Sequence, residues 1–263
     1  MMAHERPPIN KLPLLLLTAW IVVGCSMVYG FVIIGDLAVV TAGAVLLVGA
    51  MLLSVAYTVT ARSEAQATAG GAVALVCALI VVTILLPSSG STFVDSVILL
   101  GVVAGPISMF VRSVSLPSIG RTSLREISVA GVLLLPIVLA YGEALFLGLR
   151  FWESFPLGNP SYLFIPFLAL WGYTEEALFR GVVQRSFLEV MSPRQAILLA
   201  SALNAAYMLF WGSVMYALFA LLSGMLLGYL FHRSRSLMYV GTVRALMDTW
   251  LVIAFLSLGI VMV

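Results

Sequence analysis

Trp171–Gly181 reads WGYTEEALFRG. Two adjacent glutamates, and an arginine four positions after the second, sit in a run that is otherwise apolar. FIPFLAL precedes it at 164–170, and VV follows at 182–183. In a water-soluble helix such charges need no explanation. The rest of this chain decides that they do.

The 263 residues are 62% hydrophobic and 9% charged, with a mean hydropathy of +1.15. A soluble domain carries about 25% charged residues. So few charges cannot coat a globular surface of this length. Apolar runs long enough to cross a hydrocarbon core of about 30 Å as helices recur along the chain. The alternating short segments of a membrane barrel are absent. The chain reads as all-α, a polytopic transmembrane helical bundle whose partner is the lipid bilayer.

Breaks at charged, Pro, Gly and Ser clusters place spans near 13–34, 37–59, 67–86, 94–112, 127–149, 161–185, 195–211, 213–232 and 237–261. That makes about nine helices. The longer connectors are 87–93, 113–125 and 150–160, and no soluble domain or repeat is expected. With the N-terminus inside, the inner segments hold Arg6, Lys11, Arg62, Arg112, Arg121, Arg125, Arg185, Arg194, Arg233 and Arg235, whereas the outer ones hold only Arg150. This asymmetry orients the bundle with the N-terminus in and the C-terminus out. The net charge of +2 is then mostly inner-loop arginine facing anionic lipid, and nothing points to nucleic acid. A multi-pass protein of a prokaryotic cell membrane is expected.

VVGC at Val22–Cys25 has the look of a lipoprotein cleavage site. The apolar run continues past it as SMVYGFVIIG, so an uncleaved helix is expected. Cys25 and Cys77 lie in apolar spans and read as small hydrophobes. Neither a disulfide nor a metal site is expected from them.

Glu143, Glu175, Glu176, Arg180, Arg244 and Asp248 all fall within spans. An ionised group at the bilayer centre costs roughly 2.5–3.5 kcal/mol on insertion scales. Each therefore needs a partner or a polar cavity. At a rise of about 1.5 Å per residue, Glu175 and Glu176 lie about 15 Å from the inner surface. Asn204 lies about 14 Å deep, Arg244 about 10 Å and Asp248 about 16 Å on the same reckoning. Three helices thus bring polar side chains to one level. Glu176 with Arg180, and Arg244 with Asp248, are i,i+4 pairs. Glu175 and Glu176 point about 100° apart. The spacing allows Glu176 to pair with Arg180 while Glu175 faces the ninth helix. Such a cluster reads equally as a reaction site or as an ion network joining helices.

EEALFRG at Glu175–Gly181 resembles the first motif of the CPBP intramembrane proteases, the Abi or CAAX-prenyl-protease-2-like family. LLSGMLLGYLFHRSRSL at Leu221–Leu237 is similar to the Gly-rich helix and basic turn before that family's last motif. VRALMD at Val243–Asp248 falls where the family has His-x-x-x-Asn, and SALNAAYML at Ser201–Leu209 where it has Phe-x-x-x-His. The resemblance covers roughly 160–252. It implies a CPBP-like core at 127–263 beneath a variable set of helices at 1–126. It also implies intramembrane peptide hydrolysis, in which paired glutamates activate water while histidines and an asparagine orient it or stabilise the oxyanion. Some members of the family are described as metal-dependent.

The chain departs from that pattern at its key positions. Leu209 and Ala205 stand at the first histidine and its phenylalanine, Arg244 at the second histidine and Asp248 at the asparagine. The only histidines are His4 and His232. Carboxylates alone make a poor zinc site, so no metal or other cofactor is expected. Arg244 presents a planar fork suited to a carboxylate. A glutamate held by it is a weak base. Glu175, Glu176, Arg180, Arg244 and Asp248, with Asn204 at their level, are the candidate site residues, and the five charges would form a nearly neutral cluster. Three readings follow. One is a pseudoprotease scaffold that binds a membrane protein or lipidated peptide. Another is an active glutamate-dependent endopeptidase in which Asn204, Tyr207 or Arg244 stabilises the oxyanion. The third is a carrier or channel that uses the buried charges. The enzyme question leans toward inactivity. Gly224 and Gly228 form a GxxxG, read as close helix packing.

Overall fold

The computed structural model describes residues 11–34, 37–85, 129–147, 164–209 and 214–257. They are overwhelmingly helical, and no described residue lies in a strand. The span expected near 94–112 lies outside the described residues. So do the connectors 87–93, 113–125 and 150–160.

Helices α1 (Leu12–Ile34), α2 (Leu37–Val59) and α3 (Glu64–Leu85) pack on one another. Each contributes one stripe of side chains to a shared core. Leu14, Leu17, Ile21 and Cys25 come from α1, Leu47, Ala50 and Ser54 from α2, and Val73, Val76, Cys77 and Ile80 from α3. The steps of three and four residues are those of one helical face. The opposite faces expose Leu16, Val23, Leu52 and Val55, a surface suited to lipid. Helix α1 runs unbroken through Cys25. Helix α3 begins three residues before the expected 67, because Ser63 Oγ accepts the Gln66 backbone N–H at 3.2 Å and caps it.

Helix α4 (Val129–Leu147) carries a buried proline, Pro136, and exposes Leu133, Leu134, Ile137, Val138 and Tyr141. The next rod was expected as one helix over 161–185. It divides into α5 (Phe164–Glu176), a π-helical segment (Ala177–Gln184) and the short α6 (Arg185–Leu188). Helix α7 (Pro193–Met208) starts at a capping box. There Gln195 Oε1 accepts the Ser192 N–H at 3.3 Å and its hydroxyl at 3.0 Å, with Pro193 at the first helical position. Helices α8 (Val214–Ser234) and α9 (Leu237–Ser257) are joined by Arg235 and Ser236. Arg235 takes φ 55, and Ser236 Oγ caps α9 through the Tyr239 N–H at 3.2 Å.

Four described stretches are long and apolar enough to cross a membrane: Leu12–Tyr29, Thr41–Val59, Glu64–Thr83 and Val214–Ser234. The helices that carry the buried charges, α4, α5 and α9, are not among them. Helix α9 lies against α5 and α4, and α8 against α7 and α4. The site sits where these helices converge. With its lipid-suited faces, this is an integral membrane protein.

Candidate active site

Each polar group in this region reaches its place through helix geometry. Glu175 and Glu176 close α5, and Arg180 and Gln184 follow at steps of four in the π-helical segment. Glu176 Oε2 lies 3.1 Å from Arg180 Nε, with side chains 1% and 0% exposed. Arg180 is the largest fully buried side chain among the described residues. A charge so placed requires a counter-charge. Glu176 supplies it, and Arg180 Nη2 also donates to the Gly224 carbonyl of α8 at 3.1 Å.

Glu175, turned about 100° from Glu176, meets α9 instead. Arg244 Nη2 donates to Glu175 Oε2 at 3.1 Å. The same guanidinium pairs along its helix with Asp248, Nε to Oδ1 at 3.4 Å. Both i,i+4 pairs and the α5–α9 pair are thus the ones the spacing allowed.

The charge count needs correction. The sequence suggested three carboxylates against two arginines. Glu143 of α4 joins them, with Oε1 3.8 Å from Arg244 Nη2 and buried like its partner. Glu143 Oε1 also accepts the Tyr216 hydroxyl of α8 at 3.0 Å. Four carboxyl groups therefore face two guanidiniums, one acid more than the sequence suggested.

Close packing seals this arrangement. A Cβ on Gly172 would run into Asp248 Oδ2 and come within 3.0 Å of Arg244 Cγ, so only glycine lets α5 approach α9 there. Asn204 is buried on α7, and its Oδ1 has no hydrogen-bond partner among the described residues. The structure does not bond it to Glu175 or Arg244. Tyr207 is buried with its ring centroid 6.1 Å from that of Phe179. Leu209, at the first histidine position, is an apolar side chain at the end of α7. His232 is half-buried near the C-terminal end of α8, two turns of helix past Gly224.

A metal does not fit this donor set. Among the described residues no three His, Cys, Asp or Glu side chains are placed to hold one ion. The Arg244 guanidinium stands between Glu143, Glu175 and Asp248, where a cation would have to sit.

Sequence reasoning missed Tyr216 and Gln184. Nothing in YAL around Tyr216 marks its hydroxyl as a partner for an acid. Gln184 did carry a signal, an amide four residues after Arg180 in an apolar rod. It is fully buried, and its Nε2 donates to the Gly228 carbonyl at 2.8 Å.

No curated protein and no solved structure matches the chain. One family model does, described as type II CAAX prenyl endopeptidase Rce1-like. It covers residues 157–250, the stretch that holds both glutamates, Arg180, Asn204, Arg244 and Asp248, so the CPBP-type resemblance rests on a domain match over that segment.

Proposed function

We propose that this protein is a pseudoprotease of the CPBP type, a membrane scaffold that keeps a protease's glutamate pair in place without its hydrolytic partners. The observation that carries this reading is the 3.1 Å contact between Arg244 Nη2 and Glu175 Oε2 in a nearly dry setting. A glutamate that activates water must offer a free lone pair and accept a proton. Arg244 occupies Glu175 Oε2, and Glu176 is held by Arg180. Leu209 offers no group to orient water. In this reading residues 127–263 form the binding core and 1–126 the accessory helices. The partner is a membrane protein or a lipidated peptide, and the site residues maintain the core's shape. A prokaryotic cell membrane is the proposed location.

The test uses the purified full chain in proteoliposomes with a prenylated CAAX peptide as probe. No cleavage is expected. Cleavage that Glu175→Gln abolishes would overturn the pseudoprotease reading in favour of an active glutamate-dependent endopeptidase.

The same proposal includes about nine spans with the N-terminus in and the C-terminus out, supported by the distribution of arginine. Reporter tags at Ser118 and Arg235 are expected to read as inner, and tags at Ser89 and Val263 as outer. A C-terminal tag that reads as inner would break the span count.

A further inference from the structure

A π-helical turn closes its hydrogen bonds one residue wider than an α-helical one and occurs mostly as single-turn insertions. Here it extends over Ala177–Gln184, directly after the two glutamates. Such a segment needs an outside hold, since its intrinsic geometry is poorer. Two side chains that it carries supply one. Arg180 Nη2 donates to the Gly224 carbonyl, and Gln184 Nε2 to the Gly228 carbonyl. The four-residue step in the rod matches the four-residue step in α8, so the two bonds form parallel rungs. Both acceptors are glycines for a physical reason. A Cβ on Gly224 would lie 3.1 Å from Arg180 Nη2, and one on Gly228 would lie 2.8 Å from Gln184 Oε1. The GxxxG of α8 is therefore a docking face for polar side chains of its own chain.

We infer that the Gln184–Gly228 and Arg180–Gly224 rungs act as a register lock: they hold the rod π-helical and thereby keep Glu175 turned onto Arg244. Relaxing the rod to α-helical geometry would remove the extra residue from the turn. A one-residue slip rotates a helix by about 100°. The α5 end would then turn relative to α8, and Glu175 would leave Arg244. Gln184 is a positioning residue that acts on Glu175 through the backbone. The device is independent of whether the protein cleaves peptides, so its failure and that of the pseudoprotease reading register in different assays.

The experiment measures modification of individual glutamates by a hydrophobic carbodiimide in the membrane-embedded full chain, located by mass spectrometry. Gln184→Leu keeps the volume and removes the amide. Gly228→Ala leaves Gln184 in place and displaces its amide end, which is flexible, so this variant tests the lock even where Gln184→Leu does not fold. Arg244→Gln exposes Glu175 directly and sets the scale. The expected result is a rise of about tenfold at Glu175 in both lock variants, as for loss of a net hydrogen bond to a buried amide. Glu143 should stay unchanged, because Arg244 and Tyr216 still hold it. Unchanged reactivity at Glu175 in Gly228→Ala would overturn the lock. A similar rise at Glu143 would also overturn it, since that reports general loosening. No rise in any variant, Arg244→Gln included, would overturn it by showing that Arg244 does not protect Glu175.

Discussion

Arg244→Ala is expected to lower stability by about 3–5 kcal/mol, the usual result of removing one member of a buried ion cluster. The size follows from how many groups this side chain serves. Its guanidinium lies 3.1 Å from Glu175, 3.4 Å from Asp248 and 3.8 Å from Glu143, and no side chain in these pairs is more than 9% exposed. Alanine would strand all three carboxylates with Arg180 as the remaining buried cation, already engaged by Glu176. Stranded charges in low dielectric cost more than the lost attraction alone. Arg244→Lys should fall between, because an ammonium is a single point charge without the fork's reach. Adding Glu175→Gln to Arg244→Ala should recover part of the loss, since it removes one of the stranded charges. Thermal unfolding in detergent measures all of these. A melting temperature for Arg244→Ala equal to the native one would place the guanidinium in water or headgroups and undo the cluster.

What the sequence revealed, and what it hid, divides along physical lines. Period and spacing are local, so the i,i+4 pairs Glu176–Arg180 and Arg244–Asp248 were legible. Depth is nearly local, since it needs only a span boundary and a fixed rise. It brought Glu175, Asn204, Arg244 and Asp248 to one level, and of these Asn204 stays outside the ion pairs. The role of Glu143 was hidden because it depends on how α4 lies against α9. The π-helical segment was hidden for a related reason. ALFRGVVQ at 177–184 has no residue that forbids an α-helix, and the wider turn is sustained by carbonyls of Gly224 and Gly228, some 44 positions along the chain. A GxxxG read alone suggests helix packing in general. Only the fold says that the packing partners are an arginine and an amide.

Installing the side chains of the CPBP motifs is expected to create the second large effect, the appearance of peptide cleavage where none is expected of the native chain. The variant combines Leu209→His, Arg244→His and Asp248→Asn. Each change has a separate purpose. Arg244→His removes the guanidinium that lies 3.1 Å from Glu175 and puts an imidazole in its place, able to hold water. Asp248→Asn removes a carboxylate that would otherwise lose its partner, and it supplies an amide donor. Leu209→His brings a second imidazole to the end of α7. The charge change is balanced, because one guanidinium and one carboxylate leave together. The core then strands two acids, Glu143 and Glu175, where Arg244→Ala strands three, so the triple variant should melt closer to the native chain than that single one does. The assay is cleavage of a prenylated CAAX peptide in proteoliposomes, with unfolding recorded on the same preparation. Activity should vanish when Glu175→Gln is added, since the base is then gone while the shape remains. A triple variant that melts like the native chain and cleaves nothing would overturn the reading in which Arg244 holds the glutamate pair inactive. Cleavage that persists after Glu175→Gln would assign the chemistry to another group, and Glu176, held at 3.1 Å from Arg180, would be the next to substitute.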